Sequence, residues 1–142
     1  MEIAVNKCYG GFSPSMKGHR EYLKLKGKKS FFYKQTKYKF KAGVEEYTRI
    51  DDLSQDDTNG CFHCYTKDLG KIVDKLPNKD YVSLREDEIR IDKDFIKVVK
   101  ELGSEVNTSV SNIQIVEIPD DVDWEIDEYD GIESVHEKHR SW

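Results

Sequence analysis

The sequence predicts a single α+β domain, built mainly of antiparallel sheet with a few short helices. Its 142 residues are enough for one domain with one hydrophobic core, so we take residues 1–142 as that domain. Apolar and polar residues alternate at residues 37–41 and 113–118, as they do in half-buried strands. Residues 95–102 instead place apolar side chains on one face of a helix.

The N-terminal segment predicts a strand, a tight turn and a helix. Residues 3–5 form the strand, and Gly10 with Gly11 permits the turn because glycine tolerates positive φ. Ser13 followed by proline is typical of a helix start, with serine as the N-cap. The helix ends before Gly27, which provides a left-handed C-cap. Its core-facing side chains are Met16, Tyr22 and Leu23.

A β-hairpin with a lysine-lined face is predicted next. Residues 30–40 and 44–50 are its strands, Ala42 with Gly43 turns the chain, and a polar loop follows at residues 51–60. The remaining expectations are a strand at 61–66, a short helix at 67–76, strand pieces at 81–84 and 88–91, a helix at 95–102 capped by Asp94 and ended by Gly103, strands at 113–118 and 124–129, and a terminal helix at 132–139 after a turn at Asp130 and Gly131.

The composition argues against several classes of protein. Hydrophobic residues make up 37% and charged residues 36% of the chain, but eight tyrosines, six phenylalanines and two tryptophans argue against disorder. No apolar run approaches the ~20 residues that cross a bilayer. The N-terminus lacks the basic and apolar regions of a signal peptide, and the cysteines are odd in number. We therefore expect reduced thiols in a cytoplasm.

Charge is distributed unevenly along the chain. Residues 1–50 contain twelve basic and four acidic residues, whereas residues 51–142 contain eleven and twenty-four. This asymmetry predicts a basic surface for an anionic ligand or attraction between subunits, although two solvated faces would give the same pattern. Because the net charge is −5, a long polyanion would be repelled, and a nucleotide-sized anion is the better partner.

Four motifs invite a chemical role, and each has a plain structural alternative. Cys61 and Cys64 have the spacing of a metal or redox pair, but the segment has the pattern of an ordinary strand. His136 and His139 are three residues apart on the predicted terminal helix and could chelate a metal, but ordinary exposed side chains are the simpler interpretation. The acidic run at residues 120–130 lacks the spacing of a calcium loop, which favours a solvated strand face. The glycine pair after the first strand is placed like a phosphate-binding turn but lies in no nucleotide-binding motif.

The two ends of the chain resemble a family of small phage proteins. The opening segment at residues 3–13 reads Ile-Ala-Val-Asn-Lys-Cys-Tyr-Gly-Gly-Phe-Ser. The closing segment covers residues 123–133 and ends with His-Arg-Ser-Trp at 139–142, and residues 98–103 and 115–119 also fit. Over nearly its full length the chain is similar to the first-described anti-Thoeris sponge family.

The resemblance implies a phage immune-evasion protein that acts in the cytoplasm of the infected bacterium. The family sequesters cyclic ADP-ribose isomers made by TIR-domain proteins and does not cleave them, so we expect a binder with no catalytic residues, metal or cofactor rather than an enzyme. Members also capture cyclic oligonucleotides at a separate site and assemble from dimers up to hexamers. A homo-oligomer is therefore expected, and neither a long nucleic acid nor a membrane is an expected partner.

The resemblance also implies which residues bind the ligand. Arg20 and Arg49 are expected to hold the phosphates, because a planar guanidinium engages phosphate oxygens in pairs. Phe95 is expected to stack on the adenine, Asn107 to contact the base or a ribose, and Asp130 to accept hydrogen bonds from ribose hydroxyls. The alternatives are a core position for Phe95, a helix end for Asn107 and a turn for Asp130.

Two other functions remain open at this point. An enzyme that degrades the same nucleotide would need a general base and usually a metal. An acidic inhibitor would instead bind a protein by using its acidic half as a mimic of nucleic acid.

Overall fold

The computed structural model describes residues 1–37, 45–54, 58 and 60–138, which form the predicted α+β fold. The strands are β1 Glu2–Asn6, β2 Phe31–Lys37, β3 Glu46–Ile50, β4 His63–Tyr65, β5 Ile72–Val73, β6 Tyr81–Val82, β7 Ile113–Glu117, β8 Trp124–Tyr129 and β9 Ile132–Glu137. The helices are α1 Met16–Leu25, α2 Asp87–Arg90 and α3 Lys93–Leu102, and a 3₁₀ helix, Gly103–Val106, follows α3.

Every strand pair in the described ranges is antiparallel, and the strands form three sheets. The largest has five strands in the order β5-β3-β2-β4-β6, while β1 pairs with β7 and β8 pairs with β9. The predicted N-terminal hairpin is therefore present as β2 and β3. Its turn at Ala42 and Gly43, and most of the alternating segment at residues 37–41, lie outside the described residues.

Both long helices begin at residues other than the predicted caps. Helix α1 is capped by Ser15 rather than Ser13, because the Ser15 hydroxyl accepts a hydrogen bond from the Gly18 N–H over 3.1 Å. Helix α3 is capped by Asp92 rather than Asp94, since the Asp92 carboxylate accepts from the first backbone N–H groups of the helix. Each cap therefore lies where its side chain reaches unpaired N–H groups of the first turn.

The helix predicted at residues 67–76 is wrong. The Asp68 carboxylate accepts a hydrogen bond from the Gly70 N–H over 2.9 Å, and Gly70 has a φ of +107°, which no right-handed helix contains. The chain turns there and continues into the short strand β5. We call residues 66–80, which connect β4 to β6, the covering segment.

Two further predicted elements have the opposite type. Residues 88–91 belong largely to the helical turn α2 instead of a strand, and Ile89 N–H bonds to the carbonyl of Glu86. Residues 132–137 form β9 instead of a helix, because Asp130 and Gly131 both have positive φ and make a two-residue hairpin turn. The predicted helical face of His136 and His139 therefore does not form, and His139 lies outside the described residues.

The main core lies between α1, α3, β1 and one face of the five-stranded sheet. The predicted core residues of α1 are all buried there, namely Met16, Tyr22 and Leu23. The other face of the sheet buries Tyr33 and Tyr65 beneath the covering segment. Their hydroxyls donate to the carbonyls of Gly70 over 2.9 Å and Pro77 over 2.6 Å, so both faces of this sheet are packed.

A histidine is buried where α1 meets the sheet. The Nδ1 of His19 lies 2.8 Å from the Ser15 carbonyl, and a carbonyl can only accept, so Nδ1 carries the proton. The ring packs edge-on against Phe32 and Phe62. Burial lowers the pKa of His19 to about 4, and the charge of Arg85 adds to this effect. The histidine is therefore neutral in the folded protein at pH 7.

The pH dependence of stability should follow from this depressed pKa. Between pH 4 and 6.5 the unfolded chain binds a proton at His19 that the folded chain does not, so stability rises with pH across this window. As the pH falls to 4, about 3 kcal/mol of stability should be lost. Urea unfolding at several pH values would measure the loss, and a His19→Gln variant should show a flatter profile. Equal profiles for the two proteins would contradict the assignment.

Candidate functional site

Arg20 and Arg49, the two predicted phosphate ligands, line the same cleft although they lie on α1 and β3. The cleft has a volume of about 370 Å³, which is within the range of small-molecule pockets. Its lining includes Arg20, Phe31, Arg49, Asp51, Leu53 and Asp68. We call it the arginine cleft, and it combines two guanidinium groups with two carboxylates and a half-buried aromatic ring.

Two carboxylates hold Arg49 in place. Its Nε donates to Asp51 Oδ1 and its Nη1 donates to Asp68 Oδ1, each over 2.7 Å. The hydrogen bonds to Asp51 and Asp68 raise the pKa of Arg49 above its ordinary value, so the side chain stays charged. Two of its three nitrogens thus have partners already, and Nη2 has no hydrogen bond within the part of the chain that the structure describes.

Arg20 is more accessible to a ligand than Arg49. Its Nε lies 3.2 Å from Glu21 Oε1, and its two Nη atoms have no hydrogen-bond partner among the described residues. Its side chain is 38% exposed, compared with 23% for Arg49. Arg20 therefore keeps the pair of terminal donors with which a guanidinium engages phosphate oxygens.

The carboxylates make the arginine cleft different from a simple anion site. Hydrogen bonds from the Gly70 N–H and from Arg49 hold the pKa of Asp68 below its ordinary value, so Asp68 is ionised at neutral pH. With Asp51 also facing the cleft, two negative charges balance the two arginines. A ligand that combines phosphate with hydroxyl groups fits such a balanced lining better than a bare phosphate does.

The other three predicted site residues do not line this cleft. Phe95 is completely buried and packs against Phe12 and Tyr22, with ring centroids 5.9 and 6.0 Å away. It offers no free face for adenine, so its assignment to stacking is corrected to a core position. The Oδ1 of Asn107 accepts the Ile113 N–H over 2.6 Å, just after the 3₁₀ helix. That contact matches the helix-end alternative.

Asp130 lies in the turn between β8 and β9, with a φ of +53°. Its side chain is exposed, and it is Glu128, two residues earlier, whose carboxylate accepts the hydrogen bond from the Gly131 N–H of this turn. The turn alternative therefore describes Asp130, and the structure does not place it with Arg20 and Arg49.

Protein backbone packs against the loop that the glycine pair forms after β1. A Cβ built on Gly131 would lie 2.3 Å from the Gly10 nitrogen and 2.6 Å from the Gly11 nitrogen, so the C-terminal turn packs directly on this loop. The side chain of Asn6 donates to the carbonyls of Cys8 and Gly131, each over 2.7 Å. We call this contact of residues 6–11 with residues 130–133 the terminal junction. Because backbone occupies the loop, its phosphate-cradle interpretation has no support here.

The cysteine and metal motifs have structural explanations. Cys8, Cys61 and Cys64 are unpaired; Cys61 is exposed, whereas Cys64 is buried in the core, and burial raises its pKa to about 12.

The Nε2 of His136 lies 3.2 Å from Asp127 Oδ2, across the strand pair β8–β9. Within the described ranges no three His, Cys, Asp or Glu side chains are grouped as a metal site would require. Nor does any helix in those ranges have the length and apolar character needed to span a bilayer.

Sequence reasoning missed the two carboxylates of the arginine cleft. Asp51 directly follows β3 and is two residues after Arg49, so alternation along a strand was a signal that both face one side. Asp68 lies in an Asp-Leu-Gly segment that is typical of a turn, although the longer pattern of residues 67–76 predicts a helix. Nothing local in the sequence indicates that Asp68 contacts Arg49.

Comparison with protein-family models, curated proteins and solved structures gives no match for this chain. The resemblance to the sponge family therefore rests on the residues quoted for it. The structure brings the opening and closing segments that carry the resemblance together at the terminal junction.

Proposed function

We propose that this protein binds a small cyclic nucleotide of the cyclic ADP-ribose type and sequesters it intact, as a phage protein that evades bacterial immunity. The observation that supports this function is the meeting of Arg20 and Arg49, from two separate elements, in one cleft of ligand size. The resemblance of the chain ends to the sponge family supplies the biological setting of the proposal.

The chemistry of the arginine cleft suits a nucleotide. The two Nη atoms of Arg20, with Nη2 of Arg49, are available to hold a pyrophosphate. Phe31 is half-buried and presents an aromatic surface in the same cleft. The Asp51 and Asp68 carboxylates are hydrogen-bond acceptors, which the hydroxyls of a ribose require.

The same chemistry favours binding over cleavage. Arginine stays protonated at neutral pH and so does not serve as a general base there. The lowered pKa of Asp68 makes its carboxylate a weak base at pH 7. A degrading enzyme would need a stronger base near the reacting bond. Nucleotide degradation is therefore the second candidate function, after binding.

Replacing Arg20 with alanine should weaken the binding of cyclic ADP-ribose by roughly 10- to 150-fold, because each charged hydrogen bond contributes about 1.5–3 kcal/mol. Titration calorimetry measures the change. Lys17→Ala is the matched control, since Lys17 is also on α1 but pairs with Glu105 and does not line the cleft. Arg20 is a better test than Arg49, whose removal would also leave Asp51 and Asp68 without their shared partner.

Equal affinities of the Arg20→Ala variant and the wild type would refute the assignment of the site. Recovery of linear ADP-ribose from the complex would refute sequestration and favour the degrading enzyme. Capture of cyclic oligonucleotides and assembly into dimers or larger oligomers stay predictions that the resemblance implies.

A further inference from the structure

We infer that Asp51 and Asp68 bind the adjacent 2′ and 3′ hydroxyls of a ribose, so that the arginine cleft selects ribonucleotides over deoxyribonucleotides. This inference rests on the proposed nucleotide binding and adds the sugar to it. The arrangement that carries it is a single guanidinium, Arg49, that donates hydrogen bonds to two carboxylates in the lining of the cleft.

Each carboxylate keeps one oxygen for a ligand. Every hydrogen bond that Asp51 and Asp68 make with the described residues uses Oδ1, which leaves Oδ2 of both side chains without a partner there. The Asp51 side chain is 62% exposed and that of Asp68 is 48% exposed, so a ligand can reach both. The two free acceptor oxygens therefore belong to carboxylates that bind the same planar cation.

Asp68 is fixed in position by more than its ion pair. Its Oδ1 accepts the Gly70 N–H over 2.9 Å, and the hydroxyl of the fully buried Tyr33 lies 3.4 Å away. The backbone of Arg49 is tied to the covering segment through the Lys71 carbonyl over 2.9 Å. An acceptor that is already ordered loses little conformational entropy when a ligand arrives, which favours a specific contact.

A sugar diol matches these two acceptors better than the other small ligands do. A phosphate placed against the two oxygens would be repelled by both carboxylates, whereas Arg20 provides free donors for it elsewhere in the cleft. A divalent cation would be repelled by the guanidinium of Arg49, which is hydrogen-bonded to both carboxylates. Two neighbouring hydroxyls are neutral donors and meet neither obstacle.

The test compares ADP with 2′-deoxy-ADP, which share the pyrophosphate and the base and differ by one hydroxyl. Titration calorimetry should show that the wild type binds ADP about tenfold more tightly. Whichever of Asp51→Asn and Asp68→Asn replaces the partner of the 2′ hydroxyl should bring this ratio close to one, because the asparagine oxygen stays on Arg49 and the amide nitrogen that replaces Oδ2 cannot accept a hydrogen bond. Both variants should also bind cyclic ADP-ribose about tenfold less tightly. The ratio cancels any general effect of the lost charge on anion binding.

Asp74→Asn is the matched control, since Asp74 is exposed in the covering segment, and this variant should keep the tenfold ratio. If ADP binds but the ratio is near one in the wild type or is unchanged in both cleft variants, the diol inference is overturned while nucleotide binding stands. The same holds if only cyclic ADP-ribose binds and both cleft variants keep the wild-type affinity for it. If cyclic ADP-ribose, ADP and 2′-deoxy-ADP all fail to bind, the proposed function and this inference are both overturned.

Discussion

A Glu133→Gln variant should unfold about 3 kcal/mol more easily than the wild type, because it leaves the buried charge of Arg90 with only the exposed Asp87, 3.6 Å from its Nε, as a counter-charge. The two side chains are each only 7% exposed, and they form two parallel hydrogen bonds of 2.5 and 2.7 Å. The guanidinium also lies 4.2 Å from the centroid of the Phe12 ring. A glutamine amide would direct a donor at a donor, since its nitrogen cannot accept from Arg90.

Urea unfolding measures the loss, and Glu125→Gln is the matched control. Glu125 lies on the other strand of the same hairpin and is exposed, so its neutralisation should change the free energy of unfolding by less than about 0.5 kcal/mol. If both glutamine variants unfolded at the same urea concentration, the buried ion pair would not stabilise the fold as we infer.

A Gly10→Ala variant should lose more than about 3 kcal/mol of stability, or fail to fold at all. Gly10 has a φ of +134°, and a Cβ built there would lie 2.2 Å from the carbonyl oxygen of Val110. The atoms it would meet are the backbone carbonyl and the Cβ of Val110 rather than the flexible end of a side chain, so relieving the clash requires a shift of the backbone.

Gly11→Ala separates the cost of backbone strain at a positive φ from the cost of the steric clash with Val110. Gly11 also has a positive φ, +114°, but a Cβ built on it would meet no atom within 4 Å. Thermal melting should therefore show a loss of about 1–3 kcal/mol for Gly11→Ala and a clearly larger one for Gly10→Ala. Equal melting temperatures for the two variants would mean that the contact with Val110 has no energetic consequence.

Glu133→Gln and Gly10→Ala both change residues of the terminal junction. The motifs at the two ends of the chain therefore have a structural role. Glu133 accepts the Asn6 N–H over 2.8 Å in addition to binding Arg90, and Gly131 fits against the glycine pair only because it lacks a side chain. The residues that carry the family resemblance thus hold the hairpin β8–β9 onto β1. This role is separate from the ligand binding that we propose for the arginine cleft.

Local sequence patterns determined most of the elements. Alternation located β7 and β8, the apolar face of α3 located that helix, and Gly27 ends α1 with a φ of +72° as predicted. The antiparallel α+β class and the β2–β3 hairpin also followed from the pattern alone. These features depend on residues that are close together in the sequence, so the local pattern of one sequence is enough to predict them.

Only the tertiary structure decided the features that depend on distant partners. Residues 132–137 form a strand because β8 supplies their hydrogen bonds, and Glu133 is buried because Arg90 of α2 meets it there. Asp68 joins the arginine cleft because the covering segment brings it to Arg49. Strand pairing and buried charge pairs are interactions between residues that are far apart in the sequence. The sequence by itself therefore determined which segments tend to form strands or helices. Which of their side chains meet was decided only by the tertiary structure.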